Sequence, residues 1–467
     1  MSLFARAWLA PERPGAVREV SGRRRLKVAR HRGTTNHVCS LYPASVQAPL
    51  GEEGPMLGVD LTAGGAPHCW DPFESYDRGH VSNANTFVLG EPGYAKSSLV
   101  KCLLSLNAAV YGPARWSMIL DPKGEYLPFA QAQGLAVVRL APGGDVRLNP
   151  LDGGATADSR LLERRATRQS KMVIGLSATI LGRDLTPLER KVVRASIDVL
   201  ADVHAHGAPP TLPDLVRLVA NPPAPICDML NRSAAELTRD SEELLLSLDE
   251  LLTGTLRGMF DGPTTVEVDW DGPGLVLDLS GVLSDPQALP LAMVAATAWM
   301  SEIKQVRGRQ RLLVLDEAYY QLANKHTVSF VQETFKLGRQ FGTAPIAICH
   351  RPSDLGAQAD DGTAVAKIAQ GLLSDAATKI VFRQAPGELA KGQELLGLSD
   401  GEVEEIRSLR RGRAVWKVGD RSLVARHLVP PGLEAVVNTD SYMRRESLVE
   451  GEDRVDEDAA ERKLVDA

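Results

Sequence analysis

The sequence is poor in aromatic residues and contains no long apolar run. Aromatic residues make up 5% of the 467 residues, so a dense surface of stacked aromatic side chains for single-stranded nucleic acid is not expected. The longest apolar run, Ala288 to Met300, contains Pro290 and falls short of the roughly 20 residues that span a membrane. Arg6 interrupts the apolar core that a signal peptide would need. These features predict a cytoplasmic protein, with any contact to the inner face of the cell membrane being peripheral.

The cysteines are few and far apart. The five positions form no C-x-x-C pair: Cys39, Cys69, Cys102, Cys227 and Cys349. This spacing favours reduced thiols in a cytoplasmic protein over a disulfide framework or a zinc site.

Charge is distributed unevenly along the chain. The formal net charge is −6, but residues 1–37 carry nine Arg or Lys and two Glu, whereas residues 446–467 carry nine acidic and three basic residues. The basic start is compatible with contact to a membrane surface or nucleic acid, and equally with a solvated pair of strands. The acidic end is predicted to be disordered.

The most informative stretch runs from Asn85 to Lys101 and indicates a strand, a tight turn and a helix. The turn has the sequence Gly90-Glu91-Pro92-Gly93-Tyr94-Ala95-Lys96-Ser97-Ser98. Such a turn can surround phosphates with backbone N–H groups while the helix directs its positive end at them. Lys96 would reach the β- and γ-phosphates of ATP, and the Ser97 hydroxyl would hold Mg²⁺. The alternative is an ordinary strand–turn–helix corner that contains Lys-Ser by chance.

One position departs from the usual phosphate-loop pattern. Glycine usually precedes the lysine, and this chain has Ala95 there. Because the methyl group of alanine favours a negative φ, we expect Ala95 to have one and to crowd the loop slightly.

A charged segment, Asp-Pro-Lys-Gly-Glu-Tyr, follows an apolar strand pattern at residues 121–126. In open parallel sheets, ligands bind at the carboxyl ends of the strands, where this segment is expected to lie. Asp121 and Glu125 are therefore candidates to hold water or the Mg²⁺ shell. A polar loop without a chemical role is the alternative.

A third segment, Arg-Leu-Leu-Val-Leu-Asp-Glu at residues 311–317, indicates a buried strand that ends in two carboxylates. Asp316 would bind Mg²⁺ through water. Glu317 would orient and polarise the attacking water as the general base. The acidic pair favours an ATP-hydrolysing protein over small kinases and GTPases.

Three further residues are candidates for contacts with the terminal phosphate. His350 follows an apolar strand pattern and either donates a hydrogen bond to that phosphate or is a structural histidine. Arg339 and Arg383 lie near the ends of a predicted helix and a predicted strand, from which a neighbouring subunit's phosphate can be reached. A surface salt bridge is the alternative for each arginine.

The order of these patterns predicts an α/β protein with a P-loop NTPase core. Two hairpins are expected, at 56–61 with 66–70 and at 413–417 with 422–426. Five regions are predicted. A small β-rich region (1–80) packs on the edge of the main sheet, and two parts of the core (81–153 and 262–430) flank a helical insertion (154–261). An acidic tail (431–467) follows.

Together these motifs resemble the large ATPases of type IV secretion and conjugative transfer, in the HerA–FtsK group of hexameric pumping ATPases. The matching segments are NTFVLGEPGYAKSSLVK, ILDPKGEY, LNPL, LLVLDEAYY, KLGRQFG, ICHRPSDL and TKIVFRQ, within residues 55–430. Besides Ala95, two features depart from the family. His350 stands where glutamine is usual, and the large N-terminal domain of many relatives is missing or reduced.

The resemblance implies a RecA-like core of the additional-strand, catalytic-glutamate type. It also implies ATP bound by Gly90 to Ser98, Mg²⁺ bound by Ser97 and Asp316, and water activated by Glu317. It also implies a hexameric ring with nucleotide at the subunit interfaces and an arginine supplied by the neighbouring subunit. The expected partners are proteins of a conjugation or secretion channel, with DNA as a further candidate.

Two alternative functions are a DNA translocase of the FtsK or HerA kind and a non-catalytic nucleotide-binding scaffold. The overall acidity, without a basic cluster near the core, argues against the translocase. The complete set of Lys96, Ser97, Asp316 and Glu317 argues against the scaffold.

Overall fold

The computed structural model describes residues 48–152, 159–204, 208–266, 269, 271–303, 309–323, 325–354 and 364–437. The strands in these ranges are β1 (Met56–Asp60), β2 (Ala66–Cys69), β3 (Thr86–Leu89), β4 (Arg115–Asp121), β5 (Ala136–Arg139), β6 (Gly274–Asp278), β7 (Gln310–Leu315), β8 (Thr343–Cys349), β9 (Thr378–Val381), β10 (Arg413–Val418) and β11 (Arg421–His427). They form one sheet in the order β2-β1-β11-β10-β9-β3-β8-β7-β4-β6-β5.

The helices in these described ranges fall into three groups. The first group is α1 (Pro72–Asp77), α2 (Lys96–Tyr111) and α3 (Leu127–Gln133). The second group lies between β5 and β6 and comprises α4 (Ser159–Leu181), α5 (Pro187–Val203), α6 (Leu212–Ala220), α7 (Ala224–Leu230), α8 (Ala234–Asp240) and α9 (Glu242–Thr253). The third group is α10 (Ala288–Ile303), α11 (Tyr319–Ala323), α12 (Lys325–Phe341), α13 (Ala364–Asp375), α14 (Pro386–Leu396), α15 (Asp400–Ser408) and α16 (Glu434–Val437).

The sheet has a parallel part and an antiparallel extension. Neighbouring strands from β9 through β5 pair in parallel, whereas β10, β11, β1 and β2 are antiparallel to their neighbours. Both predicted hairpins are confirmed, since β1 pairs with β2 and β10 with β11. The first hairpin also joins the edge of the main sheet as expected, because β1 pairs with β11.

The parallel strands are apolar on both faces because helices cover both sides of the sheet. Every residue of β3, β4, β6 and β8 is buried. Successive side chains point to opposite faces. Accordingly, Phe87 and Leu89 of β3 belong to one core cluster, and Val88 belongs to a second cluster with Leu99 and Leu103 of α2.

The topology brings four charged segments to one edge of the sheet. Strands β3, β8, β7 and β4 are consecutive neighbours and run in the same direction. Their carboxyl ends are followed by the phosphate loop, by His350, by Asp316-Glu317 and by the loop after Asp121. This is the edge at which parallel α/β sheets bind ligands.

Some expectations concern residues that the structure does not describe, or boundaries that it does not test. The basic start and nearly all of the acidic tail lie outside the described residues. The boundaries of the five predicted regions stay predictions. Among the helices in the described ranges, none is long and apolar enough to cross a membrane.

Candidate nucleotide-binding and hydrolysis site

The phosphate loop is anchored to the strands on both sides of β3. The Gly90 N–H donates to the His350 carbonyl at 3.1 Å, and the Glu91 N–H donates to the Arg383 carbonyl at 3.0 Å. A Cβ at Gly90 would lie 2.5 Å from the Cβ of Phe382, so the first loop position has no room for a side chain. These contacts fix where the loop leaves the sheet.

The expectation that Ala95 has a negative φ is wrong. Ala95 adopts φ 79° and ψ 27°, the left-handed conformation that glycine adopts without strain. The reason is loop closure: the chain must turn into α2 at Lys96 while the Lys96 amine returns to the carbonyls at the start of the loop. Alanine has no polar side chain to cap α2, so the first N–H groups of the helix are left for an anion.

We expect Ala95→Gly to stabilise the chain by about 0.5–1 kcal/mol. The left-handed conformation costs an L-residue roughly 1–2 kcal/mol, and the greater freedom of glycine in the unfolded chain cancels part of the gain. Denaturant unfolding of the two proteins measures the difference. As a control, Ala109→Gly in the same helix should destabilise the protein, because φ is negative in a helix and glycine propensity there is poor. A loss of stability in Ala95→Gly would contradict the strain argument.

Lys96 is buried, and its amine makes three contacts. It donates to the carbonyls of Gly90 at 2.6 Å and Glu91 at 3.1 Å, and it lies 3.1 Å from His350 Nδ1. Burial lowers the pKa of Lys96 to about 8, although the nearby carboxylates of Glu317 and Asp316 oppose this shift. A phosphate bound in the loop would replace one or more of these three acceptors.

His350 connects the phosphate loop to the predicted general base. Its Nε2 lies 3.0 Å from Glu317 Oε2, and its Nδ1 faces the Lys96 amine. A lysine ammonium can only donate, so Nδ1 accepts and Nε2–H donates to the carboxylate. The structure therefore places His350 within the predicted site, in contact with both Lys96 and Glu317.

Glu317 is held on both of its carboxylate oxygens. Lys123 donates to Oε1, and His350 donates to Oε2. Burial acts to raise the pKa of Glu317, but the contacts with His350 and Lys123 outweigh it and lower the pKa to about 2. The residue has a positive φ of 48°, a strained conformation that persists where surrounding contacts fix it. One such contact is the Ala318 N–H, which donates to the Ile348 carbonyl at 2.8 Å.

Asp316 and Ser97 have the donor chemistry of a magnesium site. Asp316 is buried, and its carboxylate accepts a hydrogen bond from the Glu317 N–H at 3.0 Å. Burial, together with the charges of Glu317 and Asp121, raises the pKa of Asp316 to about 8. A divalent cation beside Asp316 would favour its ionised form, and the Ser97 hydroxyl is a second hard oxygen ligand. The two predicted ligands therefore fit Mg²⁺.

For Asp121, the contacts favour the structural alternative over a role in the magnesium shell. Its Oδ1 accepts the N–H groups of Lys123 at 3.1 Å and Gly124 at 2.9 Å. Its Oδ2 accepts the Tyr126 N–H at 2.8 Å. The carboxylate thus organises the loop after β4. Glu125 contributes its carbonyl, which accepts from the buried Lys101 amine at 2.7 Å.

The two candidate arginines lie at opposite ends of the parallel strands. Both are exposed. Arg383 is beside the phosphate loop of its own chain, with its guanidinium 5.7 Å from the centre of the Tyr94 ring. Arg339 is in the last turn of α12, which leads into the amino end of β8, so it lies at the edge opposite the phosphate loop.

The remaining loop residues lie where the sequence predicted. Glu91, Tyr94, Ser97 and Ser98 are half-buried, and Pro92 and Gly93 are exposed. The residue that sequence reasoning missed is Lys123. It was visible in the motif Asp-Pro-Lys-Gly-Glu-Tyr, but its contact with Glu317 depends on the pairing of β4 with β7.

Comparison with known proteins found similar folds among the solved structures. Neither the family models nor the curated proteins gave a match. Among solved structures, VirB4 of Thermoanaerobacter pseudethanolicus is similar with a TM-score of 0.67 and 21% identity, over 84% of this chain and 100% of the solved VirB4 chain. The plasmid coupling protein TrwB in complex with ADP and Mg²⁺ is similar with a TM-score of 0.53 and 16% identity, over 81% of this chain and 91% of the solved TrwB chain. TrwB with a non-hydrolysable ATP analogue gives a TM-score of 0.51 at 16% identity, over 81% of this chain and 90% of that one.

The chain therefore has a mixed α/β fold with a sheet that is mainly parallel, the P-loop NTPase fold of VirB4 and TrwB. The fold class predicted from the sequence is confirmed.

Proposed function

We propose that this protein is an ATP-hydrolysing motor of a conjugation or type IV secretion system. The observation that carries the proposal is the convergence of Lys96, His350 and Glu317 at the carboxyl edge of the sheet. The likeness of the fold to VirB4 and TrwB supports the assignment to conjugation or secretion.

In the proposed reaction, Lys96 and the N–H groups of the phosphate loop bind the phosphates of ATP. Asp316 and Ser97 would hold Mg²⁺, which supplies positive charge against the phosphate oxygens when bound. Glu317 orients the attacking water and accepts its proton. His350 lies beside both the loop and the base, so it is well placed to contact the terminal phosphate.

We further propose that the motor is a hexameric ring in the cytoplasm, at the inner face of the cell membrane, in contact with channel proteins. DNA is a candidate for the transported substrate. The scaffold alternative is disfavoured because the phosphate-binding lysine and both acids lie together at the sheet edge. Genes for channel proteins beside the gene of this chain would support the proposal, whereas genes for chromosome-processing nucleases would favour a DNA translocase.

The variant Glu317→Gln should hydrolyse ATP about 10²–10⁴-fold more slowly than the wild type, with unchanged affinity for ATP. In the proposed reaction the Glu317 carboxylate acts on the attacking water and does not bind the phosphates. Its loss therefore removes general-base catalysis and leaves the phosphate contacts intact. Steady-state phosphate release and equilibrium binding of ATP measure the two quantities. As a control, Glu388→Gln on α14 should leave turnover unchanged. Turnover of Glu317→Gln near the wild-type value would show that the base lies elsewhere, with Glu125 as the next candidate.

A further inference from the structure

Lys123 reaches Glu317 from a different strand. Lys123 belongs to the loop after β4, and Glu317 follows β7, the strand that pairs with β4. The amine of Lys123 donates to Glu317 Oε1, and the lysine side chain is 31% exposed whereas the glutamate side chain is 7% exposed. A charged hydrogen bond to a nearly buried carboxylate is stronger than a pair at the surface.

The loop that carries Lys123 is fixed at several points. Three of its backbone N–H groups donate to Asp121. Its end is held by Lys101, a fully buried residue of the phosphate-loop helix that donates to the Glu125 carbonyl and lies 4.8 Å from the Tyr126 ring centre. A side chain at Gly124 would approach Ser280 Oγ to 3.0 Å, so the loop also packs closely against the segment after β6. A side chain that extends from such a loop starts from a well-defined position.

The contacts of Glu317 leave the carboxylate able to act on water. A carboxylate has about four lone-pair sites on two oxygens. Lys123 and His350 each use one, on different oxygens, and the Tyr319 hydroxyl uses a third, so one site remains for the water. Lys123 and His350 thus fix the plane of the carboxylate without saturating it. General-base catalysis requires this kind of fixed orientation toward the water molecule.

We propose that Lys123 is a positioning residue that orients Glu317 for water activation. The proposal rests on the proposed function, because it assigns Lys123 a part in the same hydrolysis reaction. Lys123 acts through Glu317, while Lys96 binds the phosphates. The residue therefore affects the rate of hydrolysis and leaves nucleotide affinity unchanged.

The test compares ATP hydrolysis by Lys123→Met, Lys123→Arg and the wild type, all as the full chain. Methionine keeps the length of the side chain and removes its charge. We expect Lys123→Met to lower kcat about 10–100-fold, the range known for losing a group that orients a metal ligand through a hydrogen bond. KM should change less than about twofold, and Lys123→Arg should recover much of kcat because it retains a cationic donor. The matched control Lys391→Met removes an exposed lysine of α14 and should behave as the wild type.

A second comparison separates positioning from direct phosphate binding. In the background of Glu317→Gln, the further change Lys123→Met should alter residual turnover and ATP affinity less than about threefold, since the base is already gone. Multiplicative losses in the double variant would overturn the proposal and favour a direct phosphate contact. An unchanged kcat in Lys123→Met would also overturn it while leaving the proposed ATPase function intact. A wild-type protein that hydrolyses no ATP would overturn the proposed function itself, and the positioning role with it.

Discussion

The variant Lys96→Ala should neither bind nor hydrolyse ATP. Lys96 is the buried cation of the phosphate loop, and its three present contacts are to two carbonyls and His350, which a phosphate can replace. Alanine removes the only side-chain charge in the loop that is directed at the β- and γ-phosphates. Binding of a fluorescent ATP analogue and phosphate release by the wild type and the variant measure the effect.

The control for this experiment is Lys379→Ala, which removes a lysine of β9, the strand that pairs with β3. Lys379 donates to the Ser374 carbonyl, and it lies away from the carboxyl edge of the sheet. It should keep ATP binding and turnover close to the wild type. Unchanged nucleotide binding in Lys96→Ala would show that the segment 90–98 is not the nucleotide site.

In the proposed ring, loss of an arginine that completes the neighbouring site should reduce ATP hydrolysis about 10³–10⁵-fold, the range of such arginines in P-loop proteins. We expect Arg339 or Arg383 to act on the phosphate of a neighbouring subunit, so activity per chain should rise with protein concentration as rings assemble. Arg339 lies at the edge opposite its own phosphate loop, which leaves it free to reach a neighbour, whereas Arg383 lies beside its own loop.

Mixing experiments distinguish the two arginines. A variant without the shared arginine keeps its own loop and base, and a Glu317→Gln subunit keeps the arginine. Mixing the double variant Arg339→Ala, Arg383→Ala with the variant Glu317→Gln should therefore restore activity at mixed interfaces. The variants Arg339→Ala and Arg383→Ala are then each mixed with Glu317→Gln. Only the variant that lacks the arginine acting on the neighbour should lose activity alone and regain it on mixing. Lys336→Ala, an exposed change in α12, serves as the control. Activity independent of concentration in dissociated monomers, with no rescue on mixing, would rule out the shared site.

Local patterns in the sequence predicted where most of the candidate site residues lie. The strand before Gly90, the acidic pair 316–317 and the position of His350 each follow from a short apolar run and the residues after it. The expected convergence at one sheet edge follows because parallel strands place their carboxyl ends together. These predictions depend on residues close in sequence.

The features that could not be predicted depend on tertiary contacts. The contact of Lys123 with Glu317 requires that β4 and β7 be neighbours, an order that the sequence does not reveal. The positive φ of Ala95 contradicts the preference of alanine, because closure of the loop outweighs a local preference of about 1–2 kcal/mol. Asp121 resembles a metal ligand in the sequence, but three backbone N–H groups of its own loop use its oxygens.

The most direct test of the account is the identity of the nucleotide that Glu317→Gln retains after incubation with Mg²⁺ and ATP. The protein is separated from free nucleotide, denatured, and its bound nucleotide is resolved chromatographically, with the wild type and Lys96→Ala treated in parallel. The account predicts intact ATP on Glu317→Gln, ADP and released phosphate from the wild type, and no nucleotide on Lys96→Ala. ADP on Glu317→Gln in the same amount as on the wild type would contradict the assignment of Glu317 as the base at this phosphate loop.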